Sequence, residues 1–336
     1  MIHVCPSRKT PALVRTRDRR YAGVYFVPKL NQLKFPLHKR LRNGESVRLQ
    51  WFYLVVFVIL HILTIVAFLP LFVHWSSLVV FLVMAWIAGG LGVTLGYHRL
   101  LTHRSFTTYR PIEYLLTIFA CLSWQGGPIQ WVGTHRRHHT ESDAPADPHS
   151  PRDGFSWSHL LWIVYASRPG TDPWALTKDI QRDPFHLWIE KYWYLPQFFA
   201  AAVLLVTGWW WLGSLTGGVS WVLWGFCARV VIMYHATWLV NSAAHKWGYR
   251  NFETSDDSRN NWWVALVSFG EGWHNNHHAQ QRSAAHGMRW FEFDITYLTI
   301  RLLQTMGLAW KVVYPIRPRK AASLPAHGLS AQQPSS

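Results

Sequence analysis

LVVFLVMAWIAGGLGVTLGYHRLLTH, residues 78–103, runs uncharged from Leu78 to Tyr97 and then meets His98, Arg99 and His103. Leu78–Tyr97 has the roughly 20 residues that a helix needs to cross about 30 Å of hydrocarbon. Three more runs have that length and character: Trp51–Val73, Trp193–Leu212 and Val219–Val240. The first pair is joined by His74-Trp75-Ser76-Ser77 and the second by a turn around Gly213–Gly218, neither with Lys or Arg. Of the 33 basic residues, twelve precede position 51, ten lie in 98–192, ten follow position 240, and Arg229 sits inside the fourth run. Because loops rich in Lys and Arg stay in the cytoplasm, both termini and the central loop are expected there.

Composition agrees. Half of the 336 residues are apolar, 15% are charged and 22 are Trp, the ring that anchors helices at lipid–water boundaries. The three cysteines form no C-x-x-C pair, which speaks against a disulfide framework or a thiolate metal site. A net charge of +16 raises nucleic acid as a partner, but the basic residues build no recognisable reader; anionic lipid head groups account for them better. The fold expected is an all-α integral membrane protein with four transmembrane helices. Residues 1–50 read as a basic cytoplasmic segment and 321–336, rich in Ala, Ser, Pro and Gln, as a disordered tail. Ile112–Ser123 is apolar but too short to span, and is expected to pack on the bundle as an interfacial or re-entrant helix.

Histidines collect on the cytoplasmic side. His135, His138 and His139 are spaced i, i+3, i+4, which puts three rings on one helix face, and His274, His277 and His278 repeat that spacing. Asn241 and His245 are an i, i+4 pair following the fourth run. His98 and His103, five apart and about 140° round an ideal helix, are expected to serve different metals or to span a helix break. Nine imidazoles exceed what one ion accepts, so two ions are implied, and neutral imidazole suits iron, zinc or copper. Histidines outside these groups (His61, His74, His186, His235, His286) read as core residues. Glu271 stands three before His274 and is read as orienting a ligand imidazole, or else as a surface or helix-terminal carboxylate. Arg229, mid-span, reads as functional or as paired within the bundle. Trp86 reads as the closed end of an apolar channel or as a packing ring, and Trp131 and Trp273, which flank histidine segments, as lining residues.

These residues resemble the membrane fatty acid desaturases of the stearoyl, delta-9 type. The matching segments are Gly96-Tyr-His-Arg-Leu-Leu-Thr-His103-Arg-Ser-Phe, Trp131-Val-Gly-Thr-His-Arg-Arg-His-His139, Asp147-Pro-His149 with Gly154-Phe155, Thr237-Trp-Leu-Val-Asn-Ser-Ala-Ala-His245 and Gly270-Glu-Gly-Trp-His-Asn-Asn-His-His278, within residues 50 to 315. The resemblance implies a desaturase domain over 51–320, with a four-helix stem and a cytosolic helical cap from 98–192 and 241–320. It implies two Fe ions held by His98, His103, His135, His138, His139, His245, His274, His277 and His278, with Asn241 acting through a bound water and O2 as co-substrate. Animal acyl-CoA members carry an Arg-Asp pair where this chain has Gly133-Thr134, so it looks more like cyanobacterial, plastid and bacterial members acting on lipid-bound chains. The expected substrate is thus an acyl lipid ahead of acyl-CoA, and the expected location a bacterial inner membrane. Electrons are expected from a separate carrier of ferredoxin or cytochrome b5 type. A histidine-box hydroxylase and a non-catalytic metal transporter or sensor are the competing readings.

Overall fold

Every apolar run becomes a helix, but local backbone chemistry moves the boundaries. The structure, a computed structural model, describes residues 38–165 and 172–316. The tail at 321–336 and most of the basic first segment lie outside the described residues. The described part of that segment is not featureless: β1 (His38–Arg40) and β2 (Ser46–Arg48) pair as an antiparallel hairpin.

Helix α1 covers Trp51–Ala67, shorter than the run to Val73. Pro70 offers no N–H to continue the ladder and holds Leu69 extended, so a separate turn forms at Pro70–Phe72. Helix α2, Trp75–Thr102, starts where the His74 ring accepts a bond from the Ser76 amide and continues five residues beyond the apolar run. From Trp86 onward it winds wide, with i→i+5 bonds such as His103 N to His98 O at 3.1 Å. Helix α3 (Arg110–Cys121) is the short non-spanning helix expected. It lies so close along α2 that a Cβ at Gly92 would sit 2.5 Å from the Ala120 amide nitrogen, so a glycine is required there.

Helices α4 (Pro128–Glu141) and α5 (Pro184–Tyr192) come next. Helix α6 (Leu195–Leu212) ends at Gly213 in the left-handed conformation, and Ser214 accepts from the Gly217 amide to cap α7 (Leu215–His245). Helices α8 (Trp262–Val267), α9 (His274–Ala279) and α10 (Ile295–Thr305) follow. A two-residue ribbon, β3 (Thr107–Thr108) with β4 (Ala309–Trp310), joins the stretch after α10 to the exit of α2. Among the described residues the fold is mostly helical, as expected, with two short ribbons that tie loops and build no layer.

Helices α2, α6 and α7 are long and apolar enough to cross a membrane; α1, at 17 residues, falls short of that length. Only 11% of α6 is buried against the protein, and Phe199, Val206 and Trp210 point outward from it. A face that apolar suits lipid. Arg229 is fully buried in α7. Its guanidinium donates to Gly225 O, Leu122 O and Gln197 Oε1, binding α7 to the C-terminal end of α3 and to α6. Of the two sequence readings, pairing within the bundle is what the structure shows.

Candidate metal centre

The wide winding of α2 decides where its histidines go. With i→i+5 bonds, residues five apart stack on one face, so His98 and His103 lie with ring centroids 4.8 Å apart in one cluster. They fall in one group and do not divide between two; the alternative expectation, a helix break between them, fits, since α2 ends at Thr102 with His103 as its C-cap.

The nine histidines form two groups, each with all its ligand atoms within 4.8 Å of one another: His98, His103, His135, His139 and His277; and His138, His245, His274 and His278. Each triad is split. On α4 the i, i+4 pair His135 and His139 joins the first group and His138 the second; on α9 the pair His274 and His278 joins the second and His277 the first. The three rings share one face as the spacing predicts, but they serve two groups, since i+3 and i+4 lie on opposite sides of residue i. Asn241 stands in α7, one turn before His245.

The nitrogens that meet are Nε2 atoms. His98 faces His277 at 3.1 Å, His135 faces His139 at 2.9 Å, His245 faces His274 at 3.0 Å and His138 faces His278 at 3.3 Å. His103 Nε2 is buried with no hydrogen-bond partner. On four of the rings the opposite nitrogen meets a carboxylate, whereas Nδ1 of His139, His274 and His277 is buried with no hydrogen-bond partner. His98 Nδ1 is 2.7 Å from Glu271, His138 Nδ1 3.1 Å from Asp147, His245 Nδ1 3.2 Å from Asp143 and His278 Nδ1 2.7 Å from Asp256. A carboxylate that accepts the Nδ1 proton leaves the Nε2 lone pair aimed inward, the usual way ligand imidazoles are oriented. Burial, reinforced by neighbouring imidazoles, holds His103, His135, His139, His274 and His277 well below the usual histidine range, and His278 at about 4. These rings are neutral near pH 7, the form that binds metal. An all-imidazole donor set with its Nε2 atoms gathered into two groups fits a pair of transition-metal ions.

Glu271 is 7% exposed, so it is a buried carboxylate and not a surface one. Its Oε1 accepts from Arg99, whose other arm reaches Asp294. Trp131 stacks on His135 (5.1 Å, 20°) and donates to Gln125, which donates to Thr237 on α7. Trp273 is buried and donates to Phe293 O, a structural tie. Trp86 is half-buried, edge-on to Phe269 at 5.5 Å.

Sequence reasoning missed Asp143, Asp147 and Asp256, although Asp147-Pro-His149 stood among the matching segments. It also placed His286 in the core. That ring is fully buried, 4.3 Å from His277, with Nδ1 3.0 Å from Glu271.

Apolar helices long enough to span a membrane thus lead into paired histidine clusters that fit a metal site. The family model for fatty acid desaturases matches residues 74–303. The chain is 48% identical over 272 residues to an sn-1 stearoyl-lipid 9-desaturase of Anabaena variabilis, covering 81% of this chain and 97% of the relative. It is 43% identical to an sn-2 palmitoyl-lipid 9-desaturase of a Nostoc species (81% and 93% covered) and 43% identical to an sn-1 stearoyl-lipid 9-desaturase of Synechocystis (79% and 80% covered). The chain belongs to the fatty acid desaturase family. It is an enzyme, and its chemistry is desaturation.

Proposed function

We propose that this enzyme introduces a cis double bond at the delta-9 position of a saturated acyl chain esterified to a membrane lipid, consuming O2 and two electrons. The observation that carries the reading is the pair of imidazole clusters interlocked by the split triads. The three relatives named above are all acyl-lipid 9-desaturases, which supports the lipid-bound substrate over acyl-CoA.

Two irons would be held by His98, His103, His135, His139 and His277, and by His138, His245, His274 and His278 with Asn241. They would supply the oxygen activation needed to take hydrogen from an unactivated methylene, which no acid–base pair can do. Everything else falls to the protein. Glu271, Asp143, Asp147 and Asp256 fix the imidazole tautomers, Arg99 restrains Glu271, and the apolar stem excludes water. The acyl chain would run between α2, α7 and the cap, past Trp131, with Trp86 toward its far end. All four apolar helices, α1 included, would cross the membrane with both termini and the cap in the cytoplasm, in a bacterial inner membrane.

Electrons would arrive from a separate acidic carrier of ferredoxin or cytochrome b5 type. A cleft of about 570 Å³ opens beside His103 and His139 and is rimmed by Arg104, Arg136 and Arg282. Arg104 and Arg136 share one carboxylate, Asp179, at 3.0 and 2.7 Å, so the rim stays positive. Such a rim favours encounter with an acidic surface.

Expression in a host lacking unsaturated fatty acids tests the assignment. Cis-9 monoenes should appear in its glycerolipids. Hydroxy acids in their place would make the enzyme a hydroxylase.

A further inference from the structure

Helix α4 carries three of the clustered histidines, yet its N-cap, Gly127, has no side chain to hold the first turn. Pro128 has no N–H, and the Trp131 amide returns to Gly127 O at 2.9 Å. The two remaining donors, the amides of Ile129 and Gln130, point at one oxygen of another helix: Glu190 Oε2 on α5, at 2.7 and 3.4 Å. The fit is close, since a Cβ on Gly127 would lie 2.3 Å from that oxygen. A carboxylate at a helix N-terminus satisfies orphan donors and complements the positive end of the dipole. One turn further on stands Trp131, and one turn beyond it His135, stacked upon it.

We infer that Glu190 is a positioning residue for desaturation: its charged carboxylate sets the first turn of α4 and so presents Trp131 and His135 to the centre. The inference rests on the assignment of His135 as a ligand. Burial pushes the Glu190 carboxyl up to about 7, against the two N–H bonds that favour the anion. The ionisable groups facing it are Tyr97 from α2 and Cys121 from α3, which bond each other at 3.3 Å. The thiol is pushed up to about 12 by burial, and a phenol ordinarily titrates near pH 10. The first turn of α4 carries no charged side chain. On α5 itself, burial holds His186 at about 4 and Lys191 is exposed. Among these groups Glu190 is the one that changes charge near neutrality. As pH falls through about 7 the carboxyl gains a proton and the cap weakens.

The test is the pH profile of kcat in the iron-loaded enzyme with a chemical reductant. Wild type should lose activity from pH 8 to pH 6. Glu190→Gln should keep its iron and be flat across that window. Its level should be near the acid value of wild type, roughly fivefold below the wild-type maximum, the size of one helix cap expressed as a rate. An unchanged acid limb in Glu190→Gln overturns the inference, as does loss of iron in step with activity. If Glu190→Gln does not fold, Gly127→Ala, which crowds the carboxylate without altering it, should reproduce the flat profile. Iron lost on His135→Gln with Glu190 intact confirms the ligand assignment separately; iron kept there would overturn that assignment and with it the route from Glu190 to the centre, whatever the pH profile of Glu190→Gln.

Discussion

Glu271 Oε2 lies 2.7 Å from Nδ1 of His98 and 3.0 Å from Nδ1 of His286, while its other oxygen is 3.1 Å from Arg99 Nη2. One carboxylate thus restrains two imidazoles and closes an ion pair in a buried site. Burial opposes its ionisation, but His286, His98 and Arg99 hold it well below the usual carboxylate range. Glu271→Gln keeps the shape and removes the charge. Iron affinity or activity should fall roughly 10- to 100-fold, as for other groups that orient metal ligands. Iron analysis beside a turnover assay checks this; activity within twofold of wild type would mean that the carboxylate merely packs.

The buried histidines make the metal-free protein acid-sensitive. An imidazole whose folded pKa is depressed binds its proton more readily in the unfolded chain, so stability rises with pH across the gap and levels above the unfolded value near 6.5. For His278 the window runs from about 4 to 6.5; for His103, His135, His139, His274 and His277 it extends well below 6.5. Each group contributes at most about 1.4 kcal/mol per pH unit inside its window. His138 runs the other way: burial would lower it, but Asp147 holds it raised. The Tm of iron-free protein in detergent should climb from pH 5 to pH 6.5 and then flatten. A Tm that is constant over that range would contradict the burial of neutral rings.

Trp86 packs on Phe269, a partly buried ring set against the buried group of Ala85, Met233 and Ala236 between α2 and α7. If Trp86 closes the acyl channel, Trp86→Ala should shift the products toward longer chains with little change in double-bond position. Gas chromatography of host lipids reads both. An unaltered chain-length profile assigns Trp86 to packing.

Arg282 is exposed on the rim of the cleft beside His103 and His139. Arg282→Glu should raise KM for an acidic protein donor by roughly tenfold, and the effect should shrink at high salt. Turnover driven by a small chemical reductant should stay at the wild-type level. Equal losses with both reductants would place the defect in the centre instead of at the docking surface.

Sequence by itself was enough to identify the apolar runs and the ligand types, because both are local. An uncharged stretch near 20 residues announces a helix suited to lipid, and H-x-x-H-H spacing places rings on neighbouring helix positions whatever lies elsewhere. The motifs were also sufficient to mark the family, since five segments in order leave few alternatives. Tertiary structure alone decided how the nine rings divide. That division depends on the wide winding of α2, which no residue type announces, and on the rotation of α4 against α9. It also supplied the acids. Asp143, Asp147, Asp256 and Glu190 each act on a group brought near by folding, and a carboxylate 60 positions from the helix it caps leaves no periodic trace in the chain.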